Sequence, residues 1–338
     1  MSALPHIGLI VAGGTITALA EDPFEINDYG NAGSLSPDAL LERSGQLRGR
    51  FDVTNVPVDP APSFDMGAER WAAICAACAA TLKEAPSISG FVLTHGTGAL
   101  AEAAFFLSLC WDLDVPLVVT GAQRPASAQG ADGPMNLFHA LTAAADQRLG
   151  GSVAVAFDGV LHDPRDVTKL DNSALDTFRS PRFGPLGRFA GSELDLFARS
   201  AAPGPFLPWH RLGALPRVDI LHCHSDGDAA AIEAFIAAGA RGIVIAGFAP
   251  GYATSRQAKA LETWVHEGGG IVIAASQAFG RVPGNSRNRG HGFLPAAGFS
   301  PAKARILLQY ALASQRSPAQ IAELFDRRGE AGRPTWRS

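Results

Sequence analysis

The chain has 338 residues, of which 47% are hydrophobic and 18% are charged, and its formal net charge is −4. This composition is typical of a globular chain that buries a large core in one large or two ordinary domains. The small negative charge excludes a general attraction to nucleic acid or to an anionic membrane, and without a run of about 20 apolar residues we expect no membrane-spanning helix.

The apolar run at residues 7–12 predicts a buried strand, and it ends at Gly13 and Gly14, which permit a sharp turn. A long acidic loop follows at residues 17–34, and loops of this length often close over a ligand. Strands and helices then alternate: strand 51–58, helix 67–82, strand 90–93, helix 98–109, strand 116–120, helix 134–145 and a hairpin at 152–161. This alternation predicts an α/β fold with a doubly wound, mostly parallel sheet.

Residues 201–208 are rich in proline, glycine and alanine and have the composition of a linker. A second pattern of alternating strands and helices begins after them. We therefore predict an N-terminal domain at residues 1–195 that carries the active site, a linker at 196–215 and a smaller α/β domain at 216–330.

Four predicted strands end in small, hydroxyl-bearing or charged residues. Because ligands bind at the carboxyl ends of parallel strands in open α/β sheets, we expect these strand ends to form one site. The four segments are residues 12–17, 94–98, 120–125 and 165–169. The second segment is predicted to lie at the N-terminus of a helix, where free N–H groups favour a developing oxyanion.

Five ordered motifs resemble those of the bacterial-type L-asparaginase/glutaminase family of amidohydrolases, whose first two signatures read T-G-G-T-I and H-G-T-D-T. The motifs here are A-G-G-T-I at 12–16, H-G-T-G-A at 95–99, G-A-Q-R-P at 121–125, R-D-V-T-K at 165–169 and a C-terminal helix at 298–309. The resemblance covers residues 7 to about 328. It implies an amide-hydrolysing α/β protein that forms a homotetramer of tight dimers.

Three positions depart from the family pattern. The resemblance places the family's threonine nucleophile at Ala12 and the aspartate that holds the substrate's α-amino group at Gly98. It places a polar residue that follows the substrate-contacting serine at Phe64. These departures imply the loss of one nucleophile and of two contacts that recognise an amino acid.

Other catalytic groups of the family are retained. The resemblance places a hydroxyl at Thr97, the family's catalytic lysine at Lys169 and the mobile-loop tyrosine at Tyr29. A lysine amine can act as a base when burial lowers its pKa, so Thr97 and Lys169 can work in the manner of a Ser–Lys pair.

Three interpretations of the chemistry remain open. In the first, Thr97 attacks directly or activates water, with Lys169 as its base. In the second, Glu21, Asp22 or Tyr29 supplies the base and water is the nucleophile. In the third, the chain has lost catalysis and only binds a small molecule.

We expect a hydrolase that acts on a small amide, imide or lactam other than free L-asparagine, because the substitutions remove amino-acid recognition together with the nucleophile. A catalytically impaired binding protein and an ordinary L-asparaginase/glutaminase are the alternatives. The predicted catalytic residues are Thr97, Lys169 and Tyr29, and the predicted substrate-binding residues are Thr15, Ser63, Phe64, Gly96, Gly98 and Ala122.

We expect no metal, no other cofactor, and neither nucleic acid nor membrane as a partner. The C-x-x-C pair at Cys75 and Cys78 has no second pair to accompany it, and the His-Cys-His run at 222–224 has no further spaced ligands. Residues 1–6 lack the basic start of a signal peptide, so we expect a cytoplasmic protein. By resemblance, each site is shared between subunits of a homotetramer or homodimer, and residues 287–289 are candidates for reaching the neighbour.

Overall fold

The first strand, β1 (His6–Val11), lies inside the larger sheet, and all but its first residue are buried. Its continuous apolar sequence is typical of a parallel strand that is covered on both faces. The computed structural model describes residues 3–200 and 206–329. The chain divides into two units, Met1–His210 and Arg211–Ser338.

The first unit contains the strands of the first predicted pattern, and each of its three predicted long helices is present. Its strands are β1 (His6–Val11), β2 (Asp52–Val56), β3 (Gly90–Thr94), β4 (Leu117–Thr120), β5 (Val153–Phe157), β6 (Val160–His162), β7 (Thr168–Lys169), β8 (Phe178–Arg179), β9 (Gly187–Ala190) and β10 (Glu193–Leu196). Its helices are α1 (Pro37–Arg43), α2 (Ala68–Glu84), α3 (Leu100–Cys110) and α4 (Gly133–Ala144).

Among residues 3–200, eight strands form one sheet in the order β10-β9-β6-β5-β4-β3-β1-β2. The five strands from β5 to β2 run parallel, while β6, β9 and β10 are antiparallel to their neighbours. The hairpin between β5 and β6 turns at Asp158 and Gly159, which both have positive φ. The prediction of a mostly parallel α/β sheet is confirmed.

Alternate residues of the strands face different helices. Ile7, Leu9 and Val11 pack in one buried cluster with residues of α1 and α4. Phe91 lies against the ring of Trp111, which directly follows α3, at a centroid distance of 5.9 Å. Both faces of the sheet are therefore covered, and the loops at the carboxyl ends of the strands are left to form a site.

The second unit is a smaller α/β unit. Within residues 206–329, four strands form a parallel sheet in the order β11-β12-β13-β14. They are β11 (Val218–His222), β12 (Gly242–Gly247), β13 (Ile271–Ser276) and β14 (Leu294–Pro295). The helices are α5 (Ala230–Ala237), α6 (Ser255–His266), α7 (Ser286–Gly290), α8 (Pro301–Ala313) and α9 (Pro318–Gly329).

Residues 201–205 of the predicted linker lie outside the described residues. No helix among the described residues is long and apolar enough to cross a membrane.

The cysteines lie in the interior of the two units. Cys75, Cys78, Cys110 and Cys223 are all buried and unbonded. Sγ of Cys75 lies 3.9 Å from Sγ of Cys110, so these thiols help α2 to pack against α3. Burial raises the pKa of Cys78, which makes it a poor candidate for thiolate chemistry.

Candidate active site

The glycine turn after β1 lies directly against the loop after β3. Gly13 and Gly14 have φ of 95° and 94°, a conformation that favours glycine. A Cβ added at Gly14 would lie only 2.6 Å from Cα of Gly96, so the two backbones touch. The residues that follow, Thr15 and Thr97, are therefore carried on two loops in contact.

Thr15 forms a hydroxyl pair with Tyr29. Its Oγ1 lies 2.8 Å from the phenol oxygen of Tyr29, and its side chain is 7% exposed. The N–H of Thr17 donates to the carbonyl of Gly14 and that of Ala18 to Thr15, which closes the turn. Thr15 thus presents a fixed hydroxyl beside a second oxygen that can accept or return a proton.

Thr97 forms a second pair with Lys169. The Nζ of Lys169 donates to Oγ1 of Thr97 at 2.9 Å, although the residues are 72 positions apart. Desolvation lowers the pKa of Lys169, and the charge of Asp171 partly opposes that shift. A larger share of the amine is therefore neutral near pH 7 than in an exposed lysine, which is what a proton acceptor requires.

The short ribbon of β7 and β8 positions Lys169. Lys169 lies opposite Phe178 in the antiparallel pair, and the N–H of Leu170 donates to the carbonyl of Thr177. The carboxylate of Asp166 accepts the N–H groups of residues 182 and 183 at 3.1 and 2.8 Å. This fold of the chain brings the lysine of the R-D-V-T-K motif back to the carboxyl ends of the strands.

Gly98 and Ser63 border the two hydroxyl pairs. Gly98 is exposed, and a Cβ added there would lie 3.0 Å from Oγ of Ser63. Ser63 is itself 7% exposed and lies against Gly96, where an added Cβ would come within 2.7 Å of the serine Cβ. Gly98 thus carries no side chain beside Thr97, and Oγ of Ser63 is the atom that an added Cβ would meet.

Both units of the chain match models of known domains. Residues 6–202 match Asparaginase, N-terminal, and residues 217–325 match the Glutaminase/Asparaginase C-terminal domain. The chain belongs to the asparaginase family. The family assignment predicted from the motifs is confirmed. The predicted enzyme class is confirmed as well, since the relatives in this family are hydrolases that act on amide carbon–nitrogen bonds.

Relatives in the asparaginase family match almost the whole chain. A probable periplasmic L-asparaginase of Haemophilus influenzae is 33% identical over 96% of this chain and 93% of its own length. L-asparaginase 2 of Escherichia coli is 31% identical over 96% of this chain and 93% of its own length. The crystal structure of a probable cytoplasmic L-asparaginase of Campylobacter jejuni superposes with a TM-score of 0.88 at 30% identity, covering 95% of this chain and 99% of the other.

Ala12, where the first asparaginase signature has a threonine, directly follows β1 at the carboxyl end of that strand. It is 2% exposed, its N–H donates to the carbonyl of Thr94, and its own carbonyl accepts the N–H of Ala61. The other threonine of T-G-G-T-I is retained as Thr15, and that hydroxyl meets Tyr29. The geometry therefore draws attention to Thr15 as the attacking group, which the sequence reading had named only as a binding residue.

Ala122 does not lie where a substrate-binding side chain would. It is 1% exposed and belongs to the buried cluster on the α1 and α4 face, so its methyl group packs in the core. Only its backbone is left to meet a ligand. Ala122 therefore stays a prediction, and one that concerns its backbone, because its methyl group packs in the core.

Phe64 is 82% exposed within the chain and lies in a single 3₁₀ turn, Ser63–Asp65. Its ring is not packed as the wall of a closed pocket. An apolar wall formed by Phe64 therefore stays a prediction.

The acidic loop at 17–34 is held down by the segment after the G-A-Q-R-P motif. The N–H of Ala20 donates to Oγ of Ser127, that of residue 126 to the carbonyl of residue 18, and that of Gln129 to the carbonyl of Pro23, each at 2.8 Å. These bonds tie down the first part of the loop, which later carries Tyr29 to Thr15.

The carboxylates at the start of that loop do not contact the threonines. Glu21 and Asp22 are exposed, and Asp22 accepts the N–H of Phe24. Glu25 accepts the N–H groups of Asn27 and Asp28. These contacts give no support to Glu21 or Asp22 as the base.

Sequence reasoning missed the groups that support the loop at residues 121–124. The carboxylate of Asp132 accepts the N–H groups of Gln123 and Arg124, both at 2.9 Å, and Asn136 donates to the carbonyl of Gly121. Asp132 and Asn136 lie in the run A-D-G-P-M-N at residues 131–136, and nothing in that run indicates these partners.

The observed start of α3 differs from the start predicted from the sequence. The helix begins at Leu100, two residues later than predicted, since the first helical bond runs from Ala103 to Ala99. Thr97 and Gly98 therefore belong to the preceding turn.

Among the described residues, no group of three or more His, Cys, Asp or Glu side chains is placed to hold a metal ion.

Proposed function

We propose that this chain is an amidohydrolase in which Thr15 is the nucleophile, Tyr29 exchanges its proton, and Thr97 with Lys169 completes the catalytic group. The observation that carries the proposal is the presence of two buried hydroxyls, each with its own proton-transfer partner, on two loops in contact. This assignment replaces Thr97 or water as the attacking group.

In the first step, Oγ1 of Thr15 bonds to the amide carbon and gives its proton to the oxygen of Tyr29, while Tyr29 passes its own hydroxyl proton to the amide nitrogen. The carbon–nitrogen bond then breaks, the protonated nitrogen leaves, and an ester of Thr15 and a neutral Tyr29 remain. Threonine hydroxyls need such an adjacent proton acceptor because they are weak nucleophiles at their free pKa.

In the second step, water attacks the ester. Lys169 accepts a proton from that water through the hydroxyl of Thr97 and returns it by the same hydroxyl to Oγ1 of Thr15, which leaves as the free alcohol. The lowered pKa of Lys169 supports this role, because the acceptor must be neutral. The glycine-rich turns at Gly14 and Gly96 supply backbone N–H groups for the oxyanion.

The proposed substrate is a small amide, imide or lactam that lacks the α-ammonium group of free L-asparagine. Gly98 provides no carboxylate to pair with an ammonium group, although it is exposed and follows Thr97 directly. An unpaired ammonium group held in a partly desolvated site loses hydration without compensation.

The experiment compares L-asparagine with succinamate, which differs only by the missing α-ammonium group. We expect kcat/KM for succinamate to exceed that for L-asparagine by about tenfold or more. Added hydroxylamine should trap the Thr15 ester as a hydroxamate, and Thr15→Ala should abolish both products. Hydroxamate formed by Thr15→Ala at the wild-type rate would reject Thr15 as the nucleophile.

An ordinary L-asparaginase is the second candidate, and the names of the relatives at 31 and 33% identity favour it. A preference for L-asparagine over succinamate would select this candidate. If neither compound nor any imide or lactam of a broad panel is hydrolysed while some of them bind, the chain is a binding protein.

We also propose a homotetramer or homodimer, as the family resemblance implies, and a cytoplasmic location, which the name of the Campylobacter jejuni structure supports. Of the residues predicted to reach a neighbour, Asn288 is 6% exposed and donates to the carbonyl of Gly251, so it is engaged within its own unit. Arg287 lies over the ring of Tyr252 at 5.1 Å and keeps its charge available. Light scattering of the purified protein gives the number of subunits.

A further inference from the structure

The imidazole of His95 is buried directly behind the loop that carries Thr97. It is 1% exposed and has two partners: Nε1 of Trp71 lies 3.3 Å from Nε2, and the carbonyl oxygen of Gly96 lies 2.9 Å from Nδ1. The steps proposed above do not use this histidine.

The two partners select one protonation state of the ring. The indole N–H can only donate, so Nε2 of His95 must accept and carries no proton. The carbonyl of Gly96 can only accept, so Nδ1 must carry the proton and donate. Burial also lowers the pKa of His95, which keeps the ring neutral and this tautomer occupied.

We propose that His95 is a positioning residue that orients Thr97 through the carbonyl of Gly96, with Trp71 selecting the tautomer that makes this possible. The inference rests on the proposed function, since it concerns the same hydroxyl–amine pair. It adds two residues that act through the backbone and not on the substrate.

The carbonyl of Gly96, which belongs to the peptide between Gly96 and Thr97, accepts a hydrogen bond from His95. Gly96 lies between Gly14 and Ser63, and both approach its backbone closely because Gly96 has no side chain. The N–H of His95 donates to the carbonyl of Thr120, which fixes the end of β3 but not the following peptide. The Nδ1–H bond therefore restricts rotation of this peptide, and its orientation sets the direction of the Thr97 side chain towards Lys169.

Two substitutions separate this role from simple packing. In His95→Asn the amide nitrogen takes the place of Nδ1 and can still donate to Gly96, whereas in His95→Gln the amide nitrogen takes the place of Nε2 and cannot. Trp71→Phe removes the group that selects the tautomer and keeps most of the ring packing against Phe106, whose centroid lies 5.1 Å away. His139→Asn is the matched control, since His139 is also buried but lies against Phe189.

The readouts are kcat and KM for succinamate, the melting temperature, and crystal structures of the two His95 variants. We expect His95→Gln to lower kcat about tenfold with KM within about twofold, and His95→Asn to keep at least about half of kcat. Trp71→Phe should lower kcat by about threefold, and His139→Asn should change only the melting temperature.

In the crystals, the Thr97–Lys169 distance should stay at 2.9 Å in His95→Asn and change in His95→Gln. Equal losses of kcat in the two His95 variants, or none in either, would overturn the proposal, and so would an unmoved Thr97 in His95→Gln. If the wild-type protein hydrolyses no amide, the proposed function fails, but the two crystal structures still decide whether His95 orients Thr97.

Discussion

The amine of Lys169 donates to the hydroxyl of Thr97 at 2.9 Å, and a charge two residues further on, at Asp171, acts on the same amine. Asp171 is itself held by the N–H groups of Ser173 and Ala174, both at 2.8 Å. Two effects therefore oppose each other at Lys169, the base of the proposed reaction. Burial favours its neutral form, and the carboxylate of Asp171 favours its charged form.

This relationship predicts the pH dependence of activity. The pKa of Lys169 is lowered, so the rate constant for hydrolysis of the Thr15 ester should rise with pH through a value below that of an ordinary lysine and then level off. Asp171→Asn removes the charge that raises this pKa and retains an oxygen for the turn, so the rise should shift to lower pH. A shift to higher pH, measured from pH 5 to 10, would contradict the assignment of Lys169 as the base.

Lys169→Arg tests the same base without removing its positive charge. A guanidinium stays protonated at every accessible pH, so it cannot accept the proton. We expect kcat to fall by about 100-fold or more, while the melting temperature stays close to that of the wild-type protein. An arginine variant with wild-type kcat would show that Lys169 contributes only charge.

Tyr29→Phe should separate the two hydroxyl pairs. It removes the oxygen that lies 2.8 Å from Thr15 and leaves Thr97 and Lys169 in place. We expect the acylation rate in single-turnover experiments to fall by about 100-fold or more. Hydrolysis of a preformed ester on Thr15 should change much less, and a variant slowed only in that second step would reject Tyr29 as the partner of Thr15.

Gly98→Asp should restore recognition of an ammonium group. The conformation of Gly98 admits other residues, since its φ is not in the left-handed region, and Oγ of Ser63, 3.0 Å from the added Cβ, can rotate away. We expect the ratio of kcat/KM for L-asparagine to that for succinamate to rise by about tenfold or more. Gly98→Asn, which adds the same bulk without the charge, is the control and should not raise this ratio.

Alanine substitutions at Gly14 and Gly33 together test how much the contact between the two loops of the site contributes to stability and activity. Their φ values are 94° and 95°, but an alanine at 14 would meet the backbone of Gly96 at 2.6 Å, whereas one at 33 would meet nothing within 4 Å. Gly33→Ala should cost only the conformational strain, about 1–2 kcal/mol in the free energy of unfolding. Gly14→Ala should cost more and abolish activity, as measured by urea unfolding and succinamate turnover.

Much of the fold was predictable because the strands of the first sheet are nearly continuous apolar runs that end in glycine or hydroxyl residues. β1, β3 and β4 were predicted within one residue at each end. The antiparallel edge formed by β9 and β10 was not predicted, since these short strands, with exposed alternate residues, carry little apolar periodicity.

At the site, the motifs led to Thr97 and Lys169, which the fold brings together, but not to the role of each side chain. Ala122 and Phe64 show the limit: one packs in the core and the other is mostly exposed, although both were selected by position in a motif. The partnership of Trp71 with His95 depends on how α2 packs on the sheet, which no local pattern indicates.

Each unit contains at least one buried cysteine whose reaction with a thiol reagent would show that the unit has unfolded. Cys75, Cys78 and Cys110 lie in the first unit and Cys223 in the second, and burial raises the pKa of the Cys223 thiol to about 11. Thiolates react and thiols do not, so the folded protein should resist a maleimide or disulfide reagent at neutral pH. Labelling kinetics under mild denaturant, resolved peptide by peptide, would then show whether the halves of the molecule melt together or in turn.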